Sequence, residues 1–417
     1  MSTLFTINAC KSFGCRNLGQ PTSTDYSWPD YRLGYPALHC RACGSSPPLF
    51  DEQQFRDWLS VHLSTFATEK GHFCPVCYGT KTICYGHNPQ GSQRIQCRNC
   101  KKVWTPKQYQ KEITPPEIIE TVALLVPFQG ASGGQKLYVL ISFDALRGNI
   151  LHLSTNYTQH QAGESLHYRY RGNAEPELHE SNIVQRVDMR EAQFLRRSQF
   201  DEIQYGSAAL KRNAKGVILR PVITAHGHFR VLNILFPTVK THVISHECFL
   251  RGAIITAWAD LFRQQQGEIW FIEEEIADDT DNMPWRFQGT TYHGWWKNQW
   301  QLWVQGKNRK MVCALTGGNN SKAEMLSLAT SRHFIDWLHK QAVFTHSAPL
   351  SAGRVTQILL SLAQDYNNCA RRLISDWIAP AVTSRPAPGP RITRGLSRYQ
   401  RLSMAKTLSH GSSDANG

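Results

Sequence analysis

Two closely spaced pairs of cysteines constrain this chain more than any other feature. Each pair has the spacing Cys-x-x-Cys, and the segment between the pairs contains a polar turn at residues 87–91. Four thiolates in two tight pairs are the ligand set of a tetrahedral structural zinc site, and a β-hairpin between them would return the second pair to the first. The sequence therefore predicts a zinc ribbon over residues 71–108, with the ligands Cys74, Cys77, Cys97 and Cys100.

Residues 1–50 contain a variant of the same arrangement. The first pair, Cys10 and Cys15, has four intervening residues, and the second, Cys40 and Cys43, is again a Cys-x-x-Cys pair. The approach to the last pair is Leu-His-Cys-Arg-Ala-Cys in this copy and Ile-Gln-Cys-Arg-Asn-Cys in the other. We interpret this as an internal duplication. It predicts two structural Zn²⁺ sites and places eight of the 12 cysteines in them.

The charge of the chain favours a polyanionic partner. Lys and Arg number 46 against 32 Asp and Glu, which gives a net charge of +14. Nucleic acid, DNA first, is the expected partner ahead of a membrane surface, and a solvated basic surface is the alternative. No apolar run approaches the ~20 residues of a membrane span, and the N-terminus lacks the order of a signal peptide. We therefore expect a cytoplasmic protein, in which clustered thiols bind metal.

Basic and aromatic residues lie close to the second ribbon. Such side chains suit phosphate contact combined with stacking or groove insertion. The alternative for the tryptophan is packing under the ribbon, with the lysines in water. The predicted nucleic-acid-binding residues are Arg94, Arg98, Lys101, Lys102, Trp104 and Lys107.

The whole chain indicates an α+β fold, in which tandem small zinc ribbons precede a larger mixed α/β domain. Apolar residues at helical spacing predict a helix over residues 51–70 that links the ribbons. The larger domain covers residues 136–378 and includes a polar, basic insertion at 160–215. Residues 379–417 are rich in Pro and Arg, and we expect them to form a disordered tail.

The larger domain begins like a degenerate ribonuclease-H-like core. An apolar strand over 136–144 ends on an aspartate and is followed at once by a second strand at 150–155. A carboxylate at such a strand end can hold one of two magnesium ions for phosphodiester chemistry. A turn aspartate that caps a hairpin is the alternative. A further strand at 268–275 ends in the acids Glu273, Glu274 and Glu275.

Other segments have clear apolar periodicity. Helices are predicted over 117–125, 246–266, 320–341 and 352–377. A hairpin is predicted over 217–236, with its turn at Gly227. An alternative metal cluster would consist of His226, His228, His242 and His246.

The second ribbon has the pattern Cys-Pro-x-Cys, then Gly-x-Gln-Arg-x-x-Cys-x-x-Cys-x-x-x-Trp-Thr. It resembles the N-terminal zinc ribbon of insertion-sequence transposases and of their small DNA-binding regulators, and the first ribbon is similar to a variant in related transposases. The resemblance implies a bacterial protein that binds DNA at element ends, with the metal as scaffold. It also implies the acids of a DDE-type catalytic domain, for which the candidates are Asp144, Glu274 and Glu324.

Three hypotheses about function follow. The first is a zinc-binding, DNA-binding protein of mobile-element or phage origin, without proven catalysis. The second is an active DDE-type transposase or nuclease, which would need Mg²⁺ at the three acids. The third is a protein-interaction module built on the ribbons. The oligomeric state does not follow from the sequence.

Overall fold

The computed structural model describes residues 6–32, 36–68, 81–105, 115–128, 136–158, 182–196, 208–209, 216–277, 283–294, 297–316, 322–341 and 350–378. Several predictions lie outside these ranges. They are the ligands Cys74 and Cys77, the contact residue Lys107, most of the insertion 160–215 and the tail 379–417.

Two small β-structures and one helix form the N-terminal part. Strands β1 (Tyr26–Asp30) and β2 (Ala37–Cys40) pair antiparallel. Helix α1 (Glu52–Thr68) follows them. A small three-stranded antiparallel sheet comes next, in which the hairpin of β3 (Thr82–His87) and β4 (Gln93–Cys97) is extended by β5 (Val103–Trp104).

Asp51 determines where α1 begins. Its carboxylate accepts hydrogen bonds from the backbone N–H groups of Gln53 and Gln54, at 2.9 and 3.1 Å. A side chain that binds these otherwise unsatisfied donors is an N-cap. Helix α1 therefore lies within the range predicted for it, residues 51–70, and Asp51 is its N-cap.

The remaining elements form an eight-stranded sheet with helices on both faces and a small side sheet. In chain order they are β6 (Ile118–Pro127), β7 (Lys136–Asp144), β8 (Ile150–Thr155), β9 (Tyr157–Thr158), α2 (Ile183–Arg196), β10 (Ala208–Ala209), β11 (Val217–Ile218), α3 (Pro221–Leu235), β12 (Thr241–Ser245), α4 (Cys248–Ala257), α5 (Ala259–Arg263), β13 (Glu268–Glu275), β14 (Arg286–His293), β15 (Asn298–Gln305), β16 (Asn308–Ala314), α6 (Ala329–His339) and α7 (Ala352–Ile378).

The large sheet has the strand order β14-β15-β16-β13-β12-β6-β7-β8. Strand β12 pairs parallel with both β6 and β13, and the other neighbouring strands are antiparallel. The predicted α+β class is confirmed. No helix in the described part of the chain is long and apolar enough to cross a membrane.

The prediction of a helix over residues 117–125 is wrong. This segment belongs to β6, a central strand that pairs with β12 on one side and β7 on the other. The β-branched residues Ile118, Ile119, Thr121 and Val122 favour an extended strand with neighbours on both sides. The sheet therefore begins at Ile118, ahead of residue 136.

The predicted hairpin over residues 217–236 is also wrong. Only Val217 and Ile218 are extended, and α3 begins at Pro221. Proline suits the first turn of a helix because it lacks the N–H that would have no partner there. Gly227 is not a turn residue; a Cβ built on it would lie 1.9 Å from the ring of Trp58 on α1. The glycine lets the two helices approach closely.

Each face of the sheet carries its own apolar core. On one face, Ile119, Leu140 and Phe271 pack with residues of α1, α3, α4 and α5. On the opposite face, Val122 and Phe143 pack with residues of α6 and α7. The sheet is therefore a middle layer, and a side chain's place in a strand decides which core it joins.

Three further predicted elements agree with the structure in part or in full. The segment predicted as one helix over 246–266 is two consecutive helices, α4 and α5. The helix predicted over 352–377 corresponds to α7. Helix α6 begins at Ala329, later than the predicted 320.

Candidate metal centre

Four cysteine sulfur atoms converge in the N-terminal ribbon. The sulfurs of Cys10, Cys15, Cys40 and Cys43 all lie within 4.8 Å of one another. Two of the separations are 3.6 Å, between Cys10 and Cys43, and 3.8 Å, between Cys15 and Cys40. A tetrahedral zinc with Zn–S bonds of about 2.3 Å requires sulfurs about 3.8 Å apart. The arrangement is therefore compatible with zinc.

Tight turns aim each pair of sulfurs inward. In the first turn, the N–H of Cys15 bonds to the carbonyl of Ser12, and the N–H of Gly19 bonds to the carbonyl of Cys10. The second pair follows β2, where the N–H of Gly44 bonds to the carbonyl of Cys40 at 2.8 Å. Gly44 has φ +74°, a left-handed conformation that glycine adopts without strain.

Polar side chains support the sulfurs from outside. The side-chain amide of Asn17 donates to the sulfur of Cys40, and its backbone N–H donates to that of Cys15, both at 3.4 Å. The hydroxyl of Ser45 lies 3.1 Å from the sulfur of Cys43. Donors of this kind stabilise thiolates and orient metal ligands. The sequence pattern alone did not single out Asn17 or Ser45, because neither belongs to a Cys spacing.

The thiols differ in acidity. Burial raises the pKa of Cys10, and it raises the pKa of Cys15 to about 12. Burial acts in the same direction on Cys43, but hydrogen bonds from Ser45 and from the neighbouring thiols outweigh it and lower that pKa to about 6. The thiolate form is therefore favoured at Cys43 and disfavoured at Cys10 and Cys15. A divalent cation would supply the positive charge that Cys10 and Cys15 need to lose their protons.

The first ribbon is packed into the core of the larger domain. A Cβ built on Gly19 would lie 2.3 Å from the Cβ of Ala259, at the start of α5. The ring of Phe13 lies 6.2 Å from that of Phe262, and the guanidinium of Arg263 donates to the carbonyl of Leu18 at 2.9 Å. The candidate metal centre thus fixes a segment that forms part of the main core.

The second hairpin, formed by β3, β4 and β5, repeats backbone hydrogen bonds of the first hairpin, formed by β1 and β2. The N–H of Lys101 bonds to the carbonyl of Cys97, and in the same way the N–H of Gly44 bonds to the carbonyl of Cys40. Lys101 and Gly44, each four residues after the cysteine, both have positive φ. The N–H of Arg98 bonds to the carbonyl of Lys81, just before β3, and the N–H of Arg41 bonds to the carbonyl of Asp25, just before β1. The turn around Cys97 and Cys100 therefore has the same local geometry as the one around Cys40 and Cys43.

The described nucleic-acid candidates of the second hairpin do not share one face. Cross-strand pairs place Arg94 and Gln96 on one face and Ile95, Cys97 and Trp104 on the other. Trp104 is half-buried, whereas Arg98, Lys101 and Lys102 are exposed in the turn after β4.

Asp144 and Glu274, two of the three predicted catalytic acids, are not brought together, whereas Glu274 and Glu324 both lie near Lys310. Asp144 pairs across the sheet with Ile119, whose side chain joins one core. Glu274 alternates with Trp270 and Ile272, which form a separate buried cluster on the face opposite to Phe271 and Ile119. Alternate residues of a strand point to opposite faces, so the sheet separates Asp144 from Glu274.

Each of these acids has local partners. Asp144 accepts hydrogen bonds from the backbone N–H groups of Leu146 and Arg147, and pairs with the Arg147 guanidinium at 2.7 Å. Glu274 accepts a bond from the N–H of Leu328 and pairs with Arg332. Glu324 accepts a bond from the ammonium group of Lys310, but through its backbone carbonyl.

The four histidines of the alternative cluster are also separated. Among the described residues, the four cysteines of the first ribbon are the group whose ligand atoms meet the geometry for a metal. His226 lies 3.2 Å from the ammonium of Lys11, His246 bonds to Glu191, and His242 packs against Trp258. His228 instead bonds to two serines, with its Nε2 and Nδ1 2.8 and 2.7 Å from Ser142 and Ser154.

A chain of three histidines, two of them buried, was not predicted. The Nε2 atoms of His62 and His152 are 3.1 Å apart, and the ring of His152 stacks on that of His228 at 4.6 Å. Burial lowers the pKa of His62 to about 4 and lowers those of His152 and His228. These residues lie far apart in sequence, so no local spacing relates them.

Comparison with protein-family models, with curated proteins and with solved structures finds no match to this chain.

Proposed function

We propose that this chain is a zinc-dependent nucleic-acid-binding protein of mobile-element or phage origin, with DNA as its partner. The observation that carries the proposal is the charge of the second hairpin. Residues 81–105 contain five basic residues and no acidic one. Four of the five, Lys81, Arg98, Lys101 and Lys102, are exposed. A small β-structure with this one-sided charge suits contact with a phosphate backbone.

The repeated turn geometry supports a second structural zinc in the same protein. Cys97 and Cys100 have the backbone arrangement of Cys40 and Cys43, which belong to the four-sulfur cluster. Cys74 and Cys77 complete the ligand set by their spacing in the sequence. In this proposal both metals are scaffolds, and the contact with nucleic acid is made by side chains of the second hairpin.

The strand order supports a degenerate ribonuclease-H-like core. From the edge of the sheet, the strands lie in the order β8-β7-β6-β12-β13. The strands β8, β7 and β6 are mutually antiparallel neighbours, and β12 and β13 run parallel to β6. If these five strands are numbered in chain order from β6, their order in the sheet is 3-2-1-4-5. The separated acids favour binding over catalysis as the role of this domain.

The test combines a metal measurement with a binding measurement. Native mass spectrometry of the full chain should find two zinc ions per chain. Fluorescence anisotropy with a 30-bp duplex should show affinity that falls steeply with salt. The double variant Lys101→Glu/Lys102→Glu should bind DNA more weakly. The slope of log K against log[salt] is negative, and the variant should make it shallower by about 2, because each lost phosphate contact contributes about one.

Lys307→Glu is the matched control. This lysine is exposed in the turn between β15 and β16, away from the second hairpin. It should leave the binding and the salt slope close to wild type. Fewer than one zinc per chain, or equal losses in both lysine variants, would contradict the proposal.

A further inference from the structure

The two faces of the second hairpin differ in what they offer a partner. Pairing of Ile83 with Gln96, and of Gln96 with Val103, defines one face. Tyr85 and Arg94 belong to the same face by alternation, and the guanidinium of Arg94 lies over the Tyr85 ring, 5.7 Å from its centroid. Ile83 and Tyr85 are 36% and 47% exposed, so large side chains on this face are open to solvent.

The opposite face of the hairpin is buried around Ile95 and Cys97, although Cys84, which pairs with Ile95, is exposed. Ile95 and Cys97 on it are 7% and 0% exposed. Trp104, which pairs with Ile95, is half-buried there. A partner can therefore approach the open face, and the half-buried tryptophan is not a residue on which it would stack.

We infer that the open face, defined by Ile83, Tyr85, Arg94 and Gln96, enters the major groove of duplex DNA and reads base sequence. The inference rests on the proposed function and deepens it. A two-stranded β-ribbon fits the width of that groove. The exposed Lys81, Arg98, Lys101 and Lys102 lie at the base of the same hairpin, where they would contact phosphates on its flanks.

The side chains on the open face match the chemistry of base edges. Arginine binds guanine through O6 and N7 with two parallel hydrogen bonds, and glutamine does the same for adenine. The Arg94 guanidinium lies within cation–π range of the Tyr85 ring, an attraction that favours its position on the open face. Ile83 offers an apolar contact for a thymine methyl group. The amide of Gln96 donates only a long 3.4 Å bond, to the carbonyl of Lys101, which a base could replace.

The absence of acidic groups in this segment favours a polyanionic partner. Residues 81–105 include no Asp or Glu, so a polyanion meets no repulsion along the hairpin. Single-stranded nucleic acid would instead stack bases on Tyr85, and the experiment separates the two modes.

The experiment uses the full chain and a pool of duplexes with a randomised centre. Rounds of binding and sequencing should enrich a short motif. Gln96→Ala should reduce discrimination at one position of this motif by about 5- to 150-fold, the usual range for one bidentate base contact. It should leave the salt slope unchanged, because no charge is lost. Arg94→Ala should relax a second position and lower the slope by about 1.

Two further variants protect the interpretation. Gln96→Glu should shift the enriched base toward cytosine, since a carboxylate accepts from the cytosine amino group. Thr82→Ala, on the opposite face of the hairpin, should change neither motif nor slope. Circular dichroism and zinc content confirm that each variant is folded.

The outcomes separate the inference from the proposed function. Tight, salt-dependent binding without any enriched motif would overturn sequence reading and leave DNA binding intact. Tighter binding to a single-stranded 30-mer that Tyr85→Ala abolishes would overturn the duplex mode. Failure to bind any duplex or single strand would overturn both.

Discussion

The carboxylate of Glu120 on β6 accepts a hydrogen bond of 2.7 Å from the backbone N–H of Ser331, in the first turn of α6. Glu274 on β13 accepts a similar bond, of 2.8 Å, from the N–H of Leu328. Two acids from different strands thus hold the N-terminus of one helix, where the helix dipole favours negative charge. Acids of the sheet face that a nuclease could use for metal binding serve here to anchor α6.

Glu120 should make the protein less stable at alkaline pH. Burial, opposed by its hydrogen bonds to Ser331, raises its pKa to about 7. The folded state therefore keeps a proton that the unfolded state has lost above pH ~4.5, and stability falls as the pH rises through about 7. Glu120→Gln should abolish this loss and be more stable than wild type at pH 8, by about 2–3 kcal/mol. Urea denaturation at pH 5 and pH 8 measures it.

Glu117→Gln is the control for this prediction, because Glu117 is exposed just before β6. It should keep the pH dependence of the wild type. The same pH dependence in the Glu120 variant would show that another group is responsible.

The partly buried His62 should have the opposite effect, at acid pH. Burial lowers the pKa of His62 to about 4, so the unfolded state takes up a proton near pH 6.5 and the folded state does not. Stability is present above pH ~6.5 and is lost as the pH falls toward about 4. His62→Gln should lose less stability over this range than wild type, by about 2–3 kcal/mol. Urea midpoints at pH 7 and pH 4.5 provide the comparison, and the exposed His87→Gln should behave like wild type.

Removal of metal should destabilise the whole protein. The four-sulfur cluster holds a ribbon that packs on α5 through Gly19 and Phe13. Cys10→Ser, or a chelator, should lower the Tm by about 5–15 °C, a range that corresponds to several kcal/mol. Cys84→Ser, which changes an exposed thiol outside the cluster, should leave the Tm unchanged. An unaltered Tm after complete loss of zinc would refute the prediction.

Gly227→Ala should disrupt the contact between α3 and α1. The added Cβ would lie 1.9 Å from the buried ring of Trp58, and we expect a loss of about 2–3 kcal/mol, as for other overpacked cores. Gly252→Ala on α4 is the matched control, since the nearest atom is Cδ of the flexible Lys11 chain at 3.1 Å. Its effect should stay within about 0.5 kcal/mol, because alanine also favours the helix. Chemical denaturation of both variants measures the difference.

Local sequence patterns predicted the parts of this structure that depend on local chemistry. The cysteine spacing singled out the four residues whose sulfurs converge in the structure, and the apolar periodicity of residues 51–70 predicted the helix α1. The apolar runs that end on Asp144 and Glu275 were strands as predicted.

Errors arose where two structures share one local signal. The apolar residues of Ile118–Pro127 suit a buried strand and a short helix alike, and only the pairing with β7 and β12 decides. Pro221 and Gly227 indicate a turn as readily as a helix start and a close helix contact. The histidine chain and the packing of the first ribbon on α5 depend on residues far apart in sequence, so no local spacing could predict them.

The close fit of Gly19 against Ala259 places a constraint on the first ribbon that the second hairpin does not share. The first cannot be exchanged for a ribbon from another protein unless the surface of α4 and α5 changes with it. None of the described helices or strands outside the second hairpin packs extensively against it, so its open face can change residue by residue without cost to the core. Substitutions should therefore be tolerated more widely on the open face of the second hairpin than in the segment that contains Gly19.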